Sequence, residues 1–125
     1  MMLASTPQEA MKEYENATNS HIFENVAKLI DEDAIYYFSD ETIRGHDQLK
    51  PYFEKTWRNI QDEVYTISNV NWVAHGETVA VCIYQFHWTG NVRGKRKEGN
   101  GRGTQVFKRS DVGWKVVHEH LSVPD

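Results

Sequence analysis

The spacing of apolar positions changes period along the chain, and that change divides it into helices at the front and strands at the back. Ala10, Tyr14 and Ala17, flanked by Met11, recur near every 3.6 residues, with Lys12, Glu13, Glu15 and Asn16 on the remaining surface. Thr6-Pro7-Gln8-Glu9 places a capping residue, a first-turn proline and a glutamate in helix-starting order, and Asn19-Ser20 ends the run. A second short helix is predicted from about Ile22, with Ile22, Val26, Leu29 and Ile30 on one side, stopping before Asp31-Glu32-Asp33. Residues 34–39 (AIYYFS) are strand formers, with Tyr36 and Phe38 on one face and Ile35 and Tyr37 on the other. Residues 42–44 make a brief return strand before Gly45. From His46 or Asp47 to Asn59 a third helix carries a broad apolar stripe that includes Leu49, Phe53 and Trp57, with Pro51 near its first turn.

Beyond residue 60 the period becomes two. Residues 63–74, 78–89, 104–109 and 114–123 read as four strands, with turns at His75-Gly76-Glu77 and at Ser110-Asp111-Val112-Gly113. The stretch between the second and third of these strands holds Gly90, Gly94 and Gly99 beside Arg93, Lys95, Arg96 and Lys97, and reads as a solvated hairpin tip. Short connections favour an antiparallel meander. The expected architecture is α+β, a curved antiparallel sheet wrapped around three N-terminal helices, in one domain over residues 1–125.

Composition narrows the functions available. Four Trp, six Tyr and five Phe are a heavy aromatic load for 125 residues, and such side chains gather in cores, pockets and interfaces. A net charge of −4 argues against a nucleic-acid partner, whose backbone calls for a basic surface. Cys82 is the single cysteine and lies in an apolar run, where it packs as a small hydrophobe. With no long apolar stretch for a membrane, the expectation is a cytoplasmic protein without a membrane partner.

The order helix, helix, strand, short strand, helix, four long strands resembles the cone-shaped fold of the nuclear transport factor 2-like superfamily. Arg44-Gly45 leading into the third helix, and Thr104-x-Val106 with Trp114-x-Val116-Val117-His118-x-His120-x-Ser122, resemble its SnoaL-like branch. That branch includes the association domain of calcium/calmodulin-dependent kinase II and lies close to ketosteroid isomerases. The resemblance implies a pocket between the concave sheet and the helices, and a dimer made through the outer sheet face. Aligned without gaps, the pocket-lining arginines of the kinase association domain fall on Gln85, Gln105 and Leu121, so no arginine cluster for anionic ligands carries over.

On the parity this implies, Val81, Ile83, Gln85 and His87 face inward from one strand, Gln105 and Phe107 from the next, and Val117, Glu119 and Leu121 from the last. Tyr14, Tyr36, Phe38, Phe53 and Trp57 supply an apolar, hydroxyl-bearing wall opposite, the usual make-up of a small-molecule site. Glu119, a carboxylate among hydrophobes, and His87 are the candidates for moving a proton. The competing role for Glu119 is an ion pair with Arg44 or Arg102. His118 and His120 are two residues apart on one face but lack the further ligands of a zinc site, so neither metal nor cofactor is expected. Tyr84, Phe86, Trp88, Val106, Trp114, Val116, His118 and His120 fall on the outer face, an apolar patch that predicts a two-fold homodimer. Two functions fit: a small-molecule-binding pocket protein without chemistry, or a cofactor-independent isomerase, cyclase or lyase that transfers a proton on a small hydrophobic substrate. The sequence leaves open whether the protein is an enzyme.

Overall fold

The computed structural model describes residues 4–124. Its elements are α1 (Pro7–Asn19), α2 (Phe23–Ala27), β1 (Ile30–Tyr37), β2 (Thr42–Arg44), α3 (Gly45–Asn59), β3 (Gln61–His75), β4 (Val79–Val92), β5 (Lys95–Ser110) and β6 (Gly113–Ser122). The six strands form one curved sheet in the order β2-β1-β6-β5-β4-β3. Strands β3 to β6 are the antiparallel meander read from the sequence, and β1 joins it parallel to β6. The architecture is therefore the expected α+β one.

The helices follow their local signals, with two differences. Thr6 Oγ1 accepts the Glu9 N–H at 3.1 Å, and α1 buries Ala10, Met11, Tyr14 and Thr18 against the sheet. In α2 the buried side chains are Phe23 and Val26, whereas Ile22 is 51% exposed and Ile30 already belongs to β1. His21 sits at φ 58°, and this left-handed step turns the chain so that Phe23 takes the inward place predicted for Ile22. Pro51 lies inside α3, one turn later than expected, on the solvent side where water can reach the carbonyl it leaves unbonded.

The sheet keeps the predicted parity for Gln105 and Phe107 on β5 and for Glu119 and Leu121 on β6, and corrects it on β4 and at Val117. Gln105 pairs with Cys82 on one side and Glu119 on the other, and directly paired residues share a face. Ala80, Cys82, Tyr84 and Phe86 are buried with them, so on β4 the aromatic row Tyr84, Phe86, Trp88 faces the concave side and Val81, Ile83, Gln85 and His87 the convex one. On β6 the register slips between Val106–His118 and Phe107–Val116, leaving Val117 as the extra residue of a bulge. Trp114 and Val116 before the bulge and Glu119 after it are all buried on the concave side, while His118 and His120 face out beside Tyr37. Of the predicted outer patch, Tyr84, Phe86, Trp88, Trp114 and Val116 are therefore interior, and Val106, His118 and His120 remain outside.

The glycine-rich segment is likewise strand rather than loop. Only Arg93 and Gly94, at φ 54° and 79°, form the tip. Gly99, Gly101 and Gly103 pair with Trp88, Phe86 and Tyr84, and each ring lies across its partner glycine where a Cβ would collide with it. Those glycines let three large rings lie flat along the concave face. Among the described residues no helix is long and apolar enough to cross a membrane.

Candidate functional site

Between α1, α3 and the concave sheet lies a cavity of about 200 Å³. The apolar stripe of α3 supplies Tyr52, Phe53 and Trp57, and the opposing strands supply Tyr65, Phe86, Trp88 and Leu121. Phe38 stacks on Tyr52 with centroids 4.1 Å apart, Phe53 meets Trp57 at 5.5 Å, and Tyr65 lies along Phe86 at 5.9 Å. Among the described residues its only charged side chains are two carboxylates, Glu63 and Glu119. The volume is below the roughly 300–1,000 Å³ of sites for drug-sized ligands, which suits a single ring with a short substituent.

Glu119 is 3% exposed. Its Oε1 accepts two hydrogen bonds, from Tyr84 Oη at 2.9 Å and from Gln105 Nε2 at 2.5 Å. Its Oε2 has no partner among the described residues, yet the one fully enclosed polar atom without a partner is Gln105 Oε1, so Oε2 must reach the cavity that Glu119 lines. Burial pushes the carboxyl up to about 7 against the downward pull of Gln105 and Tyr84. One oxygen is thus held in place and the other left free, on a group that changes charge near neutrality.

Tyrosines surround that carboxylate. Tyr14, Tyr36, Tyr65 and Tyr84 are all raised well above the usual phenol range, first by burial and then by the negative charge of Glu119. They stay neutral and serve as hydroxyl donors. Tyr14 Oη and Tyr36 Oη are 2.8 Å apart. Either hydroxyl can be the donor of this bond, and when the fully buried Tyr36 donates, the Tyr14 proton is free for the cavity.

Glu119, Tyr14, Phe38, Phe53, Trp57 and Leu121, all candidates from the sequence, line the cavity. Tyr36 and Gln105 stand one layer behind, holding Tyr14 and Glu119. Gln85 and His87 lie on the convex face, where Gln85 accepts from Asn69 at 2.5 Å and His87 faces Glu98 at 3.4 Å. Neither can act in the cavity. Neither Arg44 nor Arg102 pairs with Glu119; among the described residues the ion pairs are Lys50–Glu24 and His87–Glu98. His118 Nδ1 lies 2.6 Å from the Ile35 carbonyl, tying β6 to β1. Cys82 is buried and its thiol pushed up to about 12 by that burial, so it packs as a protonated hydrophobe.

Sequence reasoning missed Tyr84, Tyr65, Trp88 and Glu63. The alternation Tyr84-x-Phe86-x-Trp88 against Gly99-x-Gly101-x-Gly103 is the signal that finds the first and third. Glu63 is 8% exposed and burial alone pushes it up to about 7. Nothing in its polar surroundings, Gln61-Asp62-Glu63, marks it out.

A sequence profile described as a SnoaL-like domain matches residues 8–125. Among solved structures the chain is similar to LinA, at 14% identity and a TM-score of 0.85, covering 96% of this chain and 84% of that one. It is similar to a candidate scytalone dehydratase from Novosphingobium aromaticivorans DSM 12444, at 19% identity and TM-score 0.84, covering 96% and 83%. It is also similar to a nuclear transport factor 2-like superfamily protein from Salmonella enterica serovar Typhimurium, at 20% and 0.81, covering 94% and 87%. No curated protein matches its sequence. At these identities the structural likeness is one of fold, and it is the fold that the sequence motifs implied.

Proposed function

Because the chain belongs to the SnoaL-like domain family over residues 8–125, we propose that its cavity binds a one-ring small molecule and that Glu119 moves a proton on it, in an isomerisation or elimination that needs no cofactor. The observation that carries this reading is the asymmetry of Glu119: Oε1 fixed by Tyr84 and Gln105, Oε2 open to an aromatic cavity. A general base works best when its pKa is near the working pH and its reacting atom is positioned, and burial here supplies the first while two donors supply the second.

The reaction balances with the groups present. Oε2 takes a proton from a carbon next to a carbonyl or next to a carbon bearing a leaving group. In the first case the electron pair moves onto the carbonyl oxygen, where Tyr14, backed by Tyr36, donates a hydrogen bond to the developing charge, and Glu119 returns the proton to another carbon. In the second, the C–H pair forms the new double bond, the bond to the leaving group breaks with its electrons going to that group, and the proton taken by Glu119 passes on to the departing hydroxide as water, or to solvent for any other leaving group. Dehydration, the chemistry in the name of one structural neighbour, is of this second kind.

Deuterium exchange tests it. The protein is incubated in D₂O with a panel of one-ring ketones and hydroxyketones, and label or double-bond shift is followed by proton NMR. Wild type should catalyse exchange, and Glu119→Gln should lose about 100-fold or more of it while keeping its fold. Exchange that survives this substitution refutes the role of Glu119. Binding of the panel with no exchange favours the pocket-protein reading, which the mainly aromatic lining also suits.

The same reading includes a homodimer through the convex sheet face, now built on Val81, Ile83 and Val106 with Tyr37 beside them, and a cytoplasmic setting, consistent with one buried free thiol.

A further inference from the structure

Glu63 is the acid that the proton-transfer reading leaves unused. It stands at the start of β3, where α3 hands the chain to the sheet, and it lines the same cavity as Glu119. Its carboxylate accepts no hydrogen bond from the described residues and joins neither of their ion pairs, and burial is the one influence on its proton affinity, so among the described residues no lysine or arginine stands close, and the His21 ring reaches its backbone carbonyl instead of its carboxylate. Its backbone is fixed. The Glu63 carbonyl lies 2.9 Å from His21 Nε2, and the His21 ring stacks on Trp57 at 5.5 Å and 18°. Gly90 lies opposite, where a Cβ would come within 3.2 Å of the Glu63 Cα. A carboxylate on a backbone held this firmly, nearly enclosed and unpaired, is costly to the folded protein unless something outside the chain completes it.

The rest of the lining indicates what that is. Among the described residues it offers the rings of Trp57, Tyr65 and Trp88, two carboxylates, and no lysine, arginine or histidine. An anionic ligand would meet like charge with no cation to offset it. A positively charged ligand would neutralise Glu63 and be attracted by the negative faces of the rings. Resting on the cavity reading above, we infer that Glu63 is a specificity-determining residue, selecting one-ring ligands that carry an ammonium group and seating that group against Glu63 within the aromatic wall. Glu119 then faces the other end of the ligand, and the two carboxylates divide binding from chemistry.

The test uses three probes of one shape and different charge: 2-phenylethylamine, 2-phenylethanol and phenylacetate, titrated at pH 8 into the intact protein by calorimetry. Wild type should bind the amine at least about tenfold more tightly than the alcohol, and phenylacetate least. Glu63→Gln, an isosteric change whose fold is checked by circular dichroism, should bring the amine to within about threefold of the alcohol, whereas Glu98→Gln on the exposed surface should preserve the preference. An amine that binds wild type no better than the alcohol overturns the inference, as does a preference that survives Glu63→Gln. In either case, binding of the alcohol leaves the cavity reading standing. Failure of all three to bind overturns both.

Discussion

A carboxyl raised to about 7 by burial makes stability depend on pH in the direction opposite to a salt-bridged acid. Folded Glu119 holds its proton more tightly than the unfolded chain, whose value is near 4.5, so its contribution is full below about pH 4.5 and is lost as pH rises towards 7. The shift corresponds to on the order of 3 kcal/mol. Glu119→Gln removes the charge while its amide oxygen can still accept from Tyr84 and Gln105. The variant should match wild type at pH 4.5 and be the more stable by up to that amount at pH 8, as urea melts at the two values would show. A variant less stable than wild type at pH 8 contradicts the site. Glu119 was legible in the sequence because a carboxylate between Val117 and Leu121 needs a reason to be there. Its fixation was not, since Tyr84 and Gln105 reach it from strands 35 and 14 residues away in the chain, respectively.

At the scale of elements, the concave face depends on rings lying over glycines. An added Cβ at Gly103 would strike the Tyr84 ring and come within 2.6 Å of its hydroxyl, the group that donates to Glu119. Gly103→Ala should therefore destabilise the fold by about 1–3 kcal/mol and move the Glu119 carboxyl further up by removing one of its donors. Gly76→Ala, whose Cβ would meet nothing closer than 3.5 Å, should be mild. Equal effects in the two thermal melts would argue against this packing. The helices, and the strands apart from the glycine-rich first half of β5, were legible from period and capping, because those signals are local. Which face β4 turns inward was not. The row Tyr84, Phe86, Trp88 looks the same as an exposed apolar patch until its partners are known to be glycines, and the bulge at Val117 reverses the alternation of β6 without leaving a mark in composition.

For the whole molecule, the order of elements was enough to reach the fold, because few topologies accommodate three front helices and a long meander. The convex face is less apolar than the sequence implied, yet Ile83 remains 44% exposed there, with Val81 and Val106 half-buried beside it. Sedimentation velocity should show a dimer at micromolar concentration that Ile83→Glu dissociates and Lys95→Glu, next to the hairpin tip, does not; a wild-type monomer refutes it. The central claim concerns one group, Glu119, poised near neutrality inside an aromatic cavity. Carbon-13 NMR titration of carboxyl-labelled glutamate, with the resonance assigned by its absence in Glu119→Gln, tests it most directly. A midpoint near pH 7 is the result predicted by desolvation, and a midpoint at the ordinary 4.5 would contradict it.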